Sequence, residues 1–246
     1  MCKLRLALFT ILSILCSSTI SADTYPKREL RAAWVTVTWN NDWPTSSTAT
    51  TATKKAEVET YLDLLKENGF NAAFLQVRGM SDRIYAKNTY GNITVNEPWS
   101  SYVSGTRGTD PGWDPLAYWI EQAHIRGMEL HAWINPYRFG NRVSNPAPTS
   151  TNYPYNTTTE DKEATSNGLI ISYLNPTAND AGNFTRFYIF NPALDAVKTR
   201  IKNICQVLTY NYDIDGIVFD DFTINGNHIE PAEMIVEGPV TNLAIL

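Results

Sequence analysis

From residue 31 onward the chain alternates strand and helix. Arg31 to Thr38 (RAAWVTVT) is rich in β-branched residues and predicts a strand. Lys54 to Asn68 predicts a helix, with Val58, Leu62 and Leu65 on one face and Gly69 as its stop. Phe70 to Val77 (FNAAFLQV) is a second strand. Asp114 then caps a helix with Pro115 in its first turn, Leu116, Trp119, Ile120 and Ala123 turned inward, and Gly127 at its end. Met128 to Asn135 (MELHAWIN) is a third strand. Asn191 and Pro192 repeat the cap-plus-proline start for a helix striped by Leu194, Val197, Ile201, Ile204 and Leu208. Ile214 to Asp221 (IDGIVFDD) is the fourth strand.

Such alternation builds a parallel sheet covered by helices, because parallel neighbours need a long crossover. The class is α/β, and the interruptions narrow it to the (β/α)8 TIM-barrel type. Residues 39–53, 78–113 and 136–190 are long and polar, and each follows a strand. In such barrels the strand-to-helix loops form the catalytic face. Within 136–190, Leu169 to Leu174 and Thr185 to Phe190 predict a small hairpin. Four βα units reach Asp221 and only 25 residues follow, among them Pro231, Gly238 and Pro239. A closed barrel takes about eight strands, so the count predicts an incomplete barrel, a fragment whose open sheet edges invite self-association. The alternatives are a half-barrel completed by another chain and a smaller open α/β fold.

The N-terminus predicts export. Lys3 and Arg5 precede the apolar run Leu6 to Cys16, and small residues follow at Ser17, Ser18, Thr19, Ser21 and Ala22. That is a signal-peptide layout, too short to span a bilayer, with cleavage after Ser21 or Ala22. Leu15 is too bulky for lipoprotein processing at Cys16. The expected organisation is a signal at 1–22, a half-barrel at 23–226 and a divergent tail at 227–246, in a periplasmic or extracellular protein. All 25 acidic side chains but only 18 of the 20 basic ones lie beyond the signal. An acidic chain without basic blocks disfavours nucleic acid, and no later segment predicts a membrane span. Cys205 is the one cysteine left beyond the signal, which excludes an intrachain disulfide and predicts a buried, inert thiol.

Aromatic residues make up 12% of the chain, many of them in loops rich in Asn, Thr and Gly, where flat rings suit sugar faces. Trp39 and Trp43, in the exit of the first strand, and Trp99, in Pro98 to Tyr102, are candidate stacking platforms for sugar rings or else loop packing. Strand alternation puts Val218 with Asp220, and separately Phe219 with Asp221. Two adjacent carboxylates after an apolar run are costly to bury unpaired, and they are the catalytic candidates. On the third strand His131, Trp133 and Asn135 share one parity and lead into Tyr137 and Arg138, all candidate substrate contacts. Gln76 and Arg78 share a parity on the second strand. Gln76 needs partners there, either a hydroxyl or the core, and Arg78 is placed to hold Asp220 ionised. Asp42 reads as a second carboxylate or as a turn former. A metal hydrolase built on His131, Asp220 and Asp221 lacks any HxH, HExxH or Cys-pair spacing, and no cofactor is expected.

These residues also carry a family resemblance. Arg28-Glu29-Leu30-Arg31, Asp42-Trp43-Pro44, Gln76-Val77-Arg78, Pro98-Trp99-Ser100, Asp114-Pro115-Leu116, His131-Ala132-Trp133-Ile134-Asn135-Pro136-Tyr137-Arg138 and Tyr212 to Asp221 occur in one order. In that order they resemble bacterial glycosyl-hydrolase-like family 10. The resemblance runs from about residue 27 to 226. It implies an exported barrel-type hydrolase acting on glycan chains, peptidoglycan strands stripped of their peptides foremost. Val218 stands where many members carry His. Glycosidases need two carboxyl groups about the bond; the sequence nominates Asp220 as one, and its partner is either Asp221 or a residue of the missing half. The alternative is a glycan-binding or inactive remnant of such an enzyme.

Overall fold

The computed structural model describes residues 29–144, 154–155, 157–175, 177–220 and the short backbone segments 223–224, 227–228 and 243–245. The expected signal peptide and Asp221 lie outside the described residues. So does most of the expected tail.

The elements run β1 (Ala32–Val35), α1 (Thr51–Glu67), β2 (Ala72–Arg78), α2 (Pro115–Ile125), β3 (Glu129–Ile134), β4 (Arg138–Ser144), α3 (Thr159–Ser166), β5 (Ile170–Leu174), β6 (Phe184–Phe190), α4 (Asp195–Asn211), β7 (Gly216–Phe219) and β8 (Leu243–Ile245). β1, β2, β3, β7 and β8 form one parallel sheet in that order. Each new strand adds to the same flank, which is the winding of a (β/α)8 barrel; a doubly wound sheet reverses direction partway. The fold is an α/β parallel sheet of partial-barrel type. β8 is a strand that the sequence reading did not anticipate, because Pro239 and Gly238 just before it masked a three-residue strand.

Between β3 and β7 the chain inserts a three-stranded antiparallel sheet, ordered β4–β6–β5. The expected hairpin is its β5–β6 half. β4 was not foreseen, since Arg138 to Ser144 (RFGNRVS) lacks a clean apolar alternation.

Alternation divides the parallel sheet into two faces. On the outer one Val35, Ala73, Leu75, Val77, Leu130, Ala132, Ile134, Ile217 and Phe219 belong to the large core with the inward stripes of α1, α2 and α4. On the inner face Ala32, Ala72, Phe74 and Val218 form a separate apolar cluster. Cys205 is wholly buried on α4, and burial pushes its thiol up to about 12, as an inert core cysteine requires.

Caps place the helices. The Thr50 side chain accepts from Thr53 N to start α1, and that of Asp114 accepts from Ala117 N to start α2. α4 starts later than Asn191-Pro192 predicted. Its cap is Leu194, without a side-chain bond, while the Asn191 amide oxygen accepts from Ala193 N in a turn. Asp114 has a second duty: its other oxygen accepts from the Tyr212 hydroxyl at 2.6 Å, and that hydroxyl accepts from Lys87 N at 2.7 Å. Asp114→Ala is therefore expected to lower unfolding free energy by about 2 kcal/mol, the sum of a lost cap and an orphaned tyrosine. Thr50→Ala loses only a cap, about 1 kcal/mol. Urea unfolding of both variants checks this; equal losses would show that the Tyr212 link carries no energy.

Candidate active site at the carboxyl ends of the strands

The mouth of the sheet is tied together by one amide. Gln76 Oε1 accepts from Val37 N at 3.1 Å and Thr38 N at 2.9 Å, and Gln76 Nε2 donates to Asn135 Oδ1 at 3.0 Å. These bonds join the exit of β1, β2 and the end of β3. Gln76 and Asn135 are both buried, so Gln76 satisfies the core and fixes the mouth. Gly79 follows where the chain passes so close to Thr38 that an added Cβ would collide with its hydroxyl oxygen. Asp42 acts as a turn former, accepting from Thr36 N at 2.8 Å.

Arg78 departs from expectation. The ladder aligns Gln76 with Trp133 but Arg78 with Ile134, so two steps on β2 oppose one on β3. Such a bulge breaks strand alternation, and Ile134 belongs to the outer, helix-facing core. Arg78 does not share the side of Gln76. Its Nε donates to Glu97 at 2.7 Å, its Nη1 donates to the Asn135 carbonyl, and its guanidinium lies 5.6 Å from the centre of the Phe190 ring. The expected pairing with Asp220 is replaced by one with Glu97, from the loop after β2.

On the inner face the expected row holds. Trp34 meets Phe74 edge-on at 5.0 Å and Trp133 at 4.8 Å, and Phe74 meets His131 at 5.2 Å. His131 stands beside Gly216 low on the sheet, with Nε2 2.9 Å from Glu129 Oε2. Trp133 and Asn135 stand progressively nearer the mouth. Asp220 follows β7 directly: its N–H donates to the Ile134 carbonyl at 3.1 Å, and its side chain is half-buried. Alternation carries the inner face from Val218 to Asp220.

A cleft of about 170 Å³ opens beside these strand ends, walled by Trp39, Met80, Tyr137, Arg138, Tyr173 and Phe187. Tyr137 and Arg138 come from just past β3, as the sequence reading placed them. Tyr173 and Phe187 stack across β5 and β6, ring centres 5.1 Å apart. Trp39, one of the rings at the exit of the first strand, is 62% exposed, with a left-handed backbone (φ 62°) followed by a left-handed Asn40 (φ 53°). Non-glycine residues hold such conformations only when their surroundings enforce them. The Asn40 amide does so, donating to Pro44 O at 2.8 Å and Tyr102 O at 2.9 Å. Trp43 and Trp99, the other two candidate platforms, are loop packing, leaving no open ring face. Trp43 is 1% exposed, donates to Lys54 O at 3.0 Å and meets Trp119 edge-on. Trp99 is buried beneath the Arg83 guanidinium, 4.3 Å from its ring centre.

The loops around the cleft are braced by a buried group that sequence reasoning missed. Arg107 donates to both oxygens of Asp161, at 2.8–3.2 Å, and to the carbonyls of Met80 and Ser81. It also lies 3.6 Å from Asp82 and over the Tyr155 ring at 4.0 Å. Burial opposes the Arg107 charge, but the Asp161 bonds and Asp82 outweigh it, and its pKa is raised. Burial and Asp82 likewise raise Tyr155 above the ordinary phenol. Among the described residues no group of three or more His, Cys, Asp or Glu is arranged to hold a metal ion, and no helix is long and apolar enough to cross a membrane.

A partial barrel with an aromatic cleft at its strand ends is an architecture suited to carbohydrate chemistry. The profile of the family described as glycosyl hydrolase-like 10 matches residues 29–233, and the chain belongs to that family. It is 32% identical over 225 residues to glycosyl hydrolase YngK of Bacillus subtilis (strain 168), covering 90% of this chain and 39% of that protein. It is 28% identical over 200 residues to glycosyl hydrolase DigH of Escherichia coli (strain K12), covering 78% and 42%. The chain thus spans about two fifths of the length of these relatives. Among solved structures, a Paenibacillus cycloisomaltooligosaccharide glucanotransferase covers 83% of this chain and 26% of its own, at 15% identity and a TM-score of 0.42.

Proposed function

We propose that this chain is a glycoside hydrolase module acting on a bacterial glycan, with denuded peptidoglycan strands as the favoured substrate and Asp220 as a catalytic carboxylate assisted by Asp221. The observation that carries the reading is the strained, exposed Trp39 in one cleft with Tyr137, Arg138, Tyr173 and Phe187; Tyr137 and Arg138 follow β3, whose last carbonyl, that of Ile134, accepts from the Asp220 N–H. Rings of this kind stack on sugar faces while Arg138 meets hydroxyl or carboxylate edges. The names of YngK and DigH, both glycosyl hydrolases, support the reaction class. The basic, apolar and small residues at the N-terminus support export to where such glycans lie.

Binding without cleavage is the second reading, favoured by one observation: no acidic side chain lines the described cleft. Release of reducing ends from denuded strands separates the two. Trp39→Ala tests the cleft itself. It removes an exposed ring and is expected to weaken glycan binding by about fivefold to tenfold, near 1 kcal/mol, while thermal stability changes little. Calorimetric titration with peptidoglycan fragments measures it; unchanged affinity would remove the cleft from the proposal.

A further inference from the structure

We infer that the node behind the strand ends, where Arg78, Arg83 and Arg200 converge on Glu97, binds a small monovalent anion of the halide class. The convergence is tight. Glu97 Oε1 lies 2.7 Å from Arg78 Nε and 3.3 Å from Arg200 Nη2. Both guanidinium groups also lie over the Phe190 ring, at 5.6 and 4.8 Å. Arg83 Nε donates to the Glu97 carbonyl at 2.9 Å, and its Nη1 donates to the Tyr85 carbonyl.

The node is unbalanced in two ways. Four buried polar atoms have no hydrogen-bond partner among the described residues: Arg78 Nη2, Arg200 Nε, the Tyr85 hydroxyl and Glu97 Oε2. The charged groups acting on Tyr85 are Glu97, Arg83, Arg78 and Arg200, three cations against one anion. Unpaired buried charge and unmade hydrogen bonds are both costly. A water can accept from the orphaned donors and donate to Glu97 Oε2, but it offsets none of the excess charge. A halide accepts from Arg78 Nη2, Arg200 Nε and the Tyr85 hydroxyl together and offsets the excess positive charge. Burial lowers the pKa of Arg200 and Arg78 adds to this, with Glu97 offsetting only part, which is the strain an anion relieves. Arg78, Tyr85 and Glu97 are wholly or almost wholly buried, so the node excludes organic anions. Arg200 borders an open surface cleft with Asn96, Thr199 and Asn203, a route for a small ion that passes the Glu163 carboxylate, itself held by the Asn96 amide at 3.2 Å. The other arm of Arg78 holds the Asn135 carbonyl, so occupancy of the node bears on the geometry of the mouth.

The test uses the full chain in sodium gluconate, titrated with sodium bromide at fixed ionic strength. The melting temperature is expected to rise saturably by about 3–5 °C, the shift for a ligand at roughly ten times its Kd, and Arg200→Gln is expected to abolish the rise. No bromide-specific rise, or a non-saturating rise that Arg200→Gln retains, overturns the inference as a general salt effect. Crystals soaked in bromide give an independent readout should Arg200→Gln fail to fold. An anomalous peak within hydrogen-bonding distance of Arg78 Nη2 and Arg200 Nε supports the site; a water there, or no peak, overturns it.

Discussion

Asp220→Asn is expected to lower turnover of denuded peptidoglycan strands by about two to four orders of magnitude, the scale on which a catalytic carboxylate contributes. Glycan affinity should stay within about threefold. The substitution keeps size and shape and removes only charge, and the backbone at this position is pinned by the Asp220 N–H to Ile134 carbonyl bond. In the proposed role, a carboxylate at the end of β7 would stabilise positive charge growing on a sugar ring, an interaction made far more strongly in the transition state than in the bound substrate. Asp221→Asn should cost less if that residue only orients hydroxyls. A rate within tenfold of wild type for Asp220→Asn, with loss of activity in Asp221→Asn, would invert the two roles. If both variants keep their rates, the acid pair lies elsewhere. Release of reducing ends under single-turnover conditions is the measurement.

The largest stability effect should come from Glu97→Ala. Its side chain is fully buried and holds Arg78, which is also fully buried, at 2.7 Å, and Arg200 at 3.3 Å. Removing one partner of a buried ion pair leaves its mate charged in a poor solvent, at about 3–5 kcal/mol. Here two guanidinium groups lose the same carboxylate, and a domain of ordinary stability holds only about 5–15 kcal/mol. The variant is expected to be barely folded at 25 °C. Denaturant unfolding reads the loss directly, and a cost below about 1 kcal/mol would mean that solvent reaches the node.

Much of the scaffold could be read from period and punctuation alone. Val58-Leu62-Leu65 and Leu116-Trp119-Ile120-Ala123 announced α1 and α2, and the apolar runs announced β1, β2, β3 and β7, because helix and strand repeats are local. The site was less legible. Trp43 and Trp99 promised open rings, but whether an indole in a loop faces solvent depends on what the loop folds against; here Trp119 and Arg83 cover them. Trp39 carried no local mark of its left-handed backbone, which is enforced by Asn40 through carbonyls as far away as Tyr102. The Arg107–Asp161 brace joins residues 54 positions apart, a separation at which no spacing rule operates.

The bulge between Gln76 and Arg78 changes what the triplet Gln76-Val77-Arg78 means. Written in a line it looks like one polar signature. In space it is two addresses: Gln76 reports to the mouth, where strands meet substrate-facing loops, and Arg78 reports to the layer behind, where helix α4 and the loop after β2 are locked to the sheet. A relative that keeps glutamine and loses arginine has therefore altered its support and kept its rim, and the reverse change alters the rim alone. Two separate structural roles stand two residues apart, and a strand without the extra residue would put both side chains on the same surface.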